Sequence, residues 1–345
     1  MAVKIVNPLT IVKQGGSPTP HATSWAEFKA MSVAQAQTIY PEGSIVDIAC
    51  SVKNPANLNQ SHNWEWIVES YGTCRIENDN TDYPCVTLLA RSATIGSYAF
   101  DQLERELADS ATETTAVDGV YYYGTTAASG NPAAANTTAL NLSAGDAIPY
   151  SDYARIIKSS INTTNSNIVS LWNNGYNNYP LSNVRQWMNA NDVGNAWFTP
   201  SHVGDTTPSY QNQAGLFYCL PDDFKAVLSR TAVETALNTV TDGGVRETVY
   251  DYLFLPSRYE VRSISTPIEG TPFTGITTCM DRCKAQVNEA AMPANSVTTT
   301  WWLRSADRSK TSSVYCVSGG GTAYANITNT TCCVAPACRI ILKSS

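Results

Sequence analysis

Trp301-Trp302-Leu303-Arg304-Ser305 and Val334-Ala335-Pro336-Ala337-Cys338-Arg339-Ile340-Ile341-Leu342 are two stiff apolar blocks late in the chain. Between them, from Ala306 to Thr331, lie mostly Ser, Thr, Asn, Tyr, Ala and Gly, with no Glu, Leu, Phe, Trp or Met. Large aromatics in an apolar strand pack inward. The blocks therefore read as buried frame, and the tract between them as a surface of small polar groups and tyrosines. Tyr gives rigid contact area, and Ser, Gly and Asn give adaptable hydrogen bonding, a composition suited to binding varied partners. Arg304, inside an apolar block, is expected to pair with a carboxylate or with carbonyls of the fold.

Outward from this region the elements are short. Ser24-Trp25-Ala26-Glu27 has the pattern of a capping box. Trp25, Phe28 and Met31 recur at helical spacing, which predicts one helix running to the stop at Tyr40-Pro41-Glu42-Gly43. Residues 1–23 read as an extended arm. Residues 44–50, 64–70 and 86–90 read as strands, and 100–104 as the start of a short helix. From 110 to 150 Thr, Ala, Gly and Asn dominate around Val120-Tyr121-Tyr122-Tyr123-Gly124, which predicts a small β insertion. Ser182 should cap a helix that turns Val184, Trp187 and Met188 inward. Asp222 or Asp223 should start another, with Phe224, Val227 and Leu228 inward. Phe254-Leu255-Pro256 reads as a strand that ends in a second capping box, Ser257-x-x-Glu260. Short elements joined by long connections point to an α+β fold.

Bulk composition narrows the function. The chain has 345 residues, of which 43% are hydrophobic and only 15% charged, with a net charge of −7. Phosphate recognition needs clustered Lys and Arg, so nucleic acid is not expected as a partner. No stretch has the length and apolarity of a signal peptide or a membrane span, so synthesis in a bacterial cytoplasm and no membrane insertion are expected. The ten cysteines are diluted over the whole chain and lack paired zinc-knuckle spacing. They read as buried thiols, among them Cys279, Cys283, Cys332, Cys333 and Cys338. The three histidines, His21, His62 and His202, are far from these in sequence and offer little general-base material. Asp222, Asp223 and Glu260 read as helix caps rather than an acid/base pair.

Several motifs occur in a recognisable order. Ser182-Asn183-Val184-Arg185-Gln186-Trp187-Met188-Asn189 resembles a segment of phage and bacterial C-type-lectin-fold proteins related to the formylglycine-generating enzyme. Ala196-Trp197-Phe198-Thr199-Pro200, Ala214-Gly215-Leu216-Phe217, Phe254-Leu255-Pro256-Ser257 with Glu260-Val261, Glu269-Gly270, the Trp301 block, Gly319-Gly320 and Val334 to Cys338 follow in the family's order. Trp64-Glu65-Trp66-Ile67-Val68 and Phe100-Asp101 precede them. The resemblance spans roughly 40–342. Within that group the chain is similar to variable proteins of diversity-generating retroelements in gut bacteriophages, in which a reverse transcriptase rewrites a C-terminal repeat at adenines. Rewritten AAC-type codons yield Asn, Ser, Thr, Tyr, Asp, Gly, Ala and a few others, but not Glu, Lys, Trp, Met or Gln, a palette that 306–331 largely follows, Lys310 apart.

The resemblance implies a C-type lectin fold over 41–345, with 1–40 as an N-terminal arm and helix, 110–150 as the β insertion and 301–340 as a hypervariable ligand-binding region. It implies a non-enzymatic, phage-tail receptor-binding protein in the virion. A bacterial surface protein or glycan would be the ligand, other tail subunits and a homo-oligomer the assembly, and no cofactor or metal would take part. Asp307, Arg308, Ser309, Thr311, Ser313, Tyr315, Ser318, Thr322, Tyr324, Asn326, Thr328, Asn329 and Thr330 would form the binding surface, with Tyr315 and Tyr324 as its anchors. Trp301, Trp302, Leu303, Val317, Val334, Pro336 and Ile340 would be the frame. The Glu-Pro-Asn, Gln-Pro-Asp and Trp-Asn-Asp motifs of calcium-dependent sugar lectins do not occur. An enzyme of the formylglycine-generating type and a structural virion protein without a receptor are the alternatives.

Overall fold

The computed structural model describes residues 20–91, 96–104, 106–107, 112–117, 120–124, 139–140, 142–148, 155–159, 170–171, 174–201, 205–275 and 300–344. His202, Cys279, Cys283 and most of the expected arm lie outside these residues. The fold is α+β, with short helices against antiparallel sheets.

Ser24 caps α1 (Trp25–Lys29) by accepting from the Glu27 N–H, while the Glu27 carboxylate accepts from Thr23 N at 2.7 Å. The single helix expected from here to Tyr40 is two. Ser32 takes extended backbone and forms a complete capping box with Gln35, which starts α2 (Val33–Ile39). A second good N-cap inside an apolar period restarts the helix instead of continuing it. Trp25, Phe28 and Tyr40 are fully buried in the main core, where Trp25 meets the Phe224 ring at 4.4 Å. This helix pair is part of the domain's core.

The central sheet has the order β1 (Ile45–Val46), β4 (Trp66–Cys74), β5 (Tyr83–Ala90), β17 (Ala337–Ile341), all antiparallel. The last block of the chain thus pairs with an early strand, Ala337 with Leu89 and Ile341 with Cys85. The run from Trp66 to Glu69 is buried throughout, because both sheet faces are covered. A hairpin of β2 (Ser51–Asn54) and β3 (Asn57–Asn63) lies at one side. β6 (Tyr98–Ala99) pairs with β16 (Thr331–Cys332).

The insertion is wider than 110–150. Its four-stranded sheet runs β7 (Glu106–Leu107), β10 (Arg155–Ser159), β8 (Val120–Gly124), β9 (Ala139–Leu140). A lone two-stranded hairpin is marginal in water, and the flanking chain supplies the two further strands. Tyr121, Leu140, Ala116 and Ile148 form its small core.

Residues 100–104 are bends, not a helix. The N–H groups of Phe100 and Asp101 both donate to the Thr328 carbonyl, at 2.8 and 3.2 Å. Those long-range bonds take the place of helix closure. The Ser182 helix forms as expected as α3 (Asn183–Asn189), with Val184, Trp187 and Met188 buried. Next come α4 (Leu216–Cys219) and α5 (Asp222–Lys225). Phe224, Val227 and Leu228 do turn inward. Neither Asp222 nor Asp223 caps α5, however: Pro221 is its N-cap, and Asp222 instead pairs with Lys225 at 2.8 Å.

β11 (Thr231–Ala236) and β12 (Arg246–Asp251) form a hairpin. β13 (Trp301–Ala306), β14 (Ser313–Val317) and β15 (Ala323–Ile327) form the sheet that carries the polar tract. Trp302, Val314 and Cys316 face the main core, while Trp301, Leu303 and Val317 pack with Val261, Phe273, Cys333 and Ala335 in a second cluster. Strand residues alternate faces, so this sheet separates two apolar clusters. Trp301, Trp302, Leu303, Val317, Val334, Pro336 and Ile340 are all buried. Among the described residues, no helix is long and apolar enough to cross a membrane.

Candidate functional site

Beneath the tract lies a buried ion pair. Arg304 is 1% exposed and grips Glu260 through Nη1–Oε2 at 2.5 Å and Nη2–Oε1 at 2.9 Å. Its Nε donates to the Glu234 carbonyl and Nη1 also to that of Leu255, both at 2.8 Å. Ser257 and Glu260 do make both bonds of a capping box. Turns follow, however, rather than a helix, and the Glu260 carboxylate serves Arg304 as well as the cap. A fully hydrogen-bonded charge pair of this kind is tolerated in a core where an isolated charge is not.

The next residue of β13, Ser305, joins the core to a pocket. Its hydroxyl accepts from Arg258 N at 2.9 Å and donates to Glu269 Oε2. Glu269 Oε1 accepts from Ala236 N at 2.8 Å. Burial pushes the Glu269 carboxyl above its ordinary range, opposed by the nearby Arg304 charge. The pocket opens beside these groups, with a volume of about 280 Å³. Ile264, Ile268, Ala236 and Ala306 give it an apolar side, and Arg258, Arg308, Asp307 and Ser309 a polar one, with Tyr315 between. The Arg258 guanidinium lies over the Tyr315 ring, 3.6 Å from its centre.

The thirteen residues expected to form one binding surface separate into three groups. Asp307, Arg308, Ser309 and Tyr315 line the pocket. Ser318, Thr322, Tyr324, Asn326, Asn329 and Thr330 lie on edge strand β15 and its two flanking turns, half-buried or exposed. Thr311, Ser313 and Thr328 are buried, at 0%, 5% and 0% exposure, and so belong to the interior rather than to the expected surface. The Thr328 hydroxyl donates to the Asn174 carbonyl, and its own carbonyl holds the 100–101 segment. The Thr311 carbonyl accepts from Asn177 N at 2.9 Å. These residues fold the tract instead of being displayed by it.

The two expected anchors also part company. Tyr315 pairs across the sheet with Ala325, and Tyr324 with Cys316. Directly opposed residues share a face and adjacent ones do not, so the two tyrosines occupy opposite faces. Tyr324 is 41% exposed, with its hydroxyl 3.4 Å from Thr300 Oγ1.

Sequence reasoning missed Asn177. It is fully buried, and its Nδ2 donates to the carbonyls of Asp307, Lys310 and Ser313 at 3.2, 2.8 and 3.0 Å. Asn238 Nδ2 in turn donates to Asn177 Oδ1 at 2.9 Å. No local pattern marks this residue. Arg258 and Glu269 had a signal, since each sits in a quoted motif, but no spacing brings the two motifs together.

A second polar cluster lies behind the tract. Asp101, Glu104 and Asp205 are buried, and a carboxylate oxygen from each lies within 4.8 Å of the others. Asp101 accepts from Tyr176 N and Asn183 N, both at 3.0 Å. Asp205 accepts from Asn183 Nδ2 at 3.1 Å and from Ser201 N at 2.9 Å. Burial pushes the Asp101 carboxyl up to about 7, and burial with the Asp101 charge pushes Glu104 well up. Among the described residues this is the one group of three or more His, Cys, Asp or Glu side chains close enough to gather around one cation, and within it Asp101 and Glu104 are hydrogen-bonded to each other. The eight described cysteines are buried free thiols, and none lines the pocket.

Residues 154–342, more than half of the chain, match a family described as a domain of unknown function (DUF6273). That span holds the pocket, the Arg304–Glu260 pair and the whole polar tract. No curated protein and no solved structure matches the chain.

Proposed function

Starting from a chain that belongs to the DUF6273 family, we propose that it is a ligand-binding protein of C-type lectin fold, with a C-terminal surface diversified by a retroelement and a receptor-binding role at a phage tail. One observation carries the reading. Small polar side chains and Tyr324 are displayed on an edge strand and its turns, directly over a frame of fully buried Trp301, Trp302, Leu303 and Val334. A site whose side chains are exchanged must not be needed for folding, and stability here rests on residues outside the exchanged set. The partner is a bacterial surface protein or glycan, and no enzymatic step is assigned.

Within this reading the exchangeable set is the displayed positions Ser309, Ser318, Thr322, Tyr324, Asn326, Asn329 and Thr330, while Tyr315 carries the Arg258 side chain and counts with the frame. Thr311, Ser313 and Thr328 are placed with the frame. Supporting the fold assignment, the ordered motifs converge on one core: α3 packs under β6 through Trp187 and Tyr98, stacked at 4.1 Å, and β17 closes the central sheet.

Purified protein should bind intact cells of some members of a bacterial panel, and a variant with Thr322, Tyr324, Asn326 and Thr330 changed to Ala should not. A near-copy of the codons for roughly 300–340, differing only at template adenines and lying beside a reverse-transcriptase gene, is the matching genomic expectation. Equal cell binding by the variant, or no such repeat, contradicts the reading.

A further inference from the structure

We propose that the pocket between Arg258 and Arg308 receives a free carboxylate carried on an aliphatic body, as at the C-terminus of a peptide. This rests on the reading of 306–331 as a ligand-binding tract and names the chemistry of the site on its Tyr315 side. The charged groups around the pocket are equal in number but not in availability. Glu269 has one oxygen on Ala236 N and the other on the Ser305 hydroxyl. Asp307 Oδ1 accepts from Ser309 N at 3.1 Å and Ser309 Oγ at 2.8 Å, and Oδ2 faces Lys310 Nζ at 3.7 Å. The acceptors are therefore turned to internal donors.

The donors are not. Arg258 uses Nε on Ser263 Oγ at 3.4 Å and lays its plane on Tyr315, leaving its two terminal nitrogens for a ligand. Arg308 uses Nη2 on the Gly244 carbonyl at 2.7 Å and Nε on that of Leu237 at 3.4 Å, leaving Nη1. A guanidinium fixed in plane by an aromatic ring presents two parallel N–H donors, the geometry that fits a carboxylate. Its orientation is set before the ligand arrives: Arg258 N is held by Ser305 Oγ, and its carbonyl accepts from Ser263 N at 2.8 Å.

The rest of the ligand follows from the apolar part of the lining. Ile264, Ile268, Ala236 and Ala306 offer methyl groups, and the neighbouring carboxylates are engaged. A polyhydroxylated sugar acid would bring many hydroxyl donors and find few open acceptors; an aliphatic side chain needs none. A volume of about 280 Å³ lies just below the ~300 Å³ where drug-sized sites begin, and suits one amino acid or a dipeptide end.

The test titrates the full chain with N-acetyl-leucine, N-acetyl-leucine amide and glucuronate, by calorimetry or by chemical-shift perturbation. N-acetyl-leucine should bind at least about tenfold more tightly than the amide, a difference of about 1.4 kcal/mol, and more tightly than glucuronate. Arg258→Gln should lose that preference, and Arg258→Lys should keep part of it. Equal binding of acid and amide, binding of glucuronate alone, or no binding of any probe at millimolar concentration overturns the proposal. The acid-against-amide comparison uses the unaltered protein, so a variant that fails to fold does not decide it. Cell binding separates this inference from the wider one. Binding that Arg258→Gln retains and N-acetyl-leucine does not compete overturns the carboxylate assignment alone. N-acetyl-leucine binding without any cell binding supports the pocket and overturns the receptor role.

Discussion

Tyr315 and Tyr324 stand on opposite faces of one three-stranded sheet, Tyr315 under the Arg258 guanidinium and Tyr324 at the solvent edge. Their substitutions should therefore behave differently. Tyr324→Ala should change stability by no more than about 0.5 kcal/mol, as an exposed position does, while weakening partner binding. Tyr315→Ala removes the platform of Arg258 and should cost about 1–2 kcal/mol, the range of a partly desolvated cation–π contact with its packing. Urea denaturation of both variants, beside cell binding, separates the roles.

Arg304 and Glu260 hold each other inside the core. Arg304→Met or Glu260→Gln breaks the buried bidentate pair, leaving Glu260 only Arg339 at 4.0 Å or Arg304 only the nearby Glu269, and should cost about 3–5 kcal/mol. The double substitution should recover part of that loss, because it removes both charges. A double-mutant cycle by denaturant titration measures the coupling, and simple additivity would show that the pair is not acting as one unit.

Asn177 ties down the loop of 307–313 by three carbonyls. Asn177→Ala removes a donor shared by these three carbonyls, of which that of Ser313 keeps the Asp307 N–H, and should cost about 1–3 kcal/mol. Hydrogen exchange should quicken in 307–313 before the central sheet is affected. Unchanged exchange there would mean that the loop is held by other contacts.

The Asp101, Glu104 and Asp205 cluster gives stability a defined pH dependence. The Asp101 carboxyl is raised to about 7 when folded, from 3.8. Between those values the folded state keeps a proton that the unfolded state has released. The contribution of this group to stability is then fully present below about 4 and is lost as pH rises toward 7, by up to about 1.4 kcal/mol per pH unit. With a chelator present, Asp101→Asn should flatten the stability profile between pH 4 and 7. A wild-type profile that rises across this window would contradict the shared-proton arrangement.

Much of the frame was legible in the residues. Apolar blocks such as 301–305 and 334–342 can only be buried, and an arginine inside one needs an internal partner; the structure supplies both. What was not legible depends on distant chain. The break at Ser32 follows from a cap that outcompetes the helical period. The bends at 100–104 follow from a carbonyl more than two hundred residues away, that of Thr328. Composition could not sort Thr311, Ser313 and Thr328 from Thr322 and Thr330, because a small hydroxyl serves equally in a buried turn and on a surface. Nor could it reveal the pocket, whose walls come from 236, 258–269 and 305–315.

The central claim is that displayed side chains of the tract can be exchanged without cost to the fold. The most direct measurement is the melting temperature and cell binding of one variant carrying Ser309→Asn, Thr322→Tyr, Tyr324→Ser, Asn326→Thr and Thr330→Asn together, beside Thr328→Asn alone. The account predicts that the five-fold variant melts within a few degrees of the parent and changes its binding, while the single buried change unfolds the tract. A five-fold variant that fails to fold, or one that binds as the parent does, would contradict it.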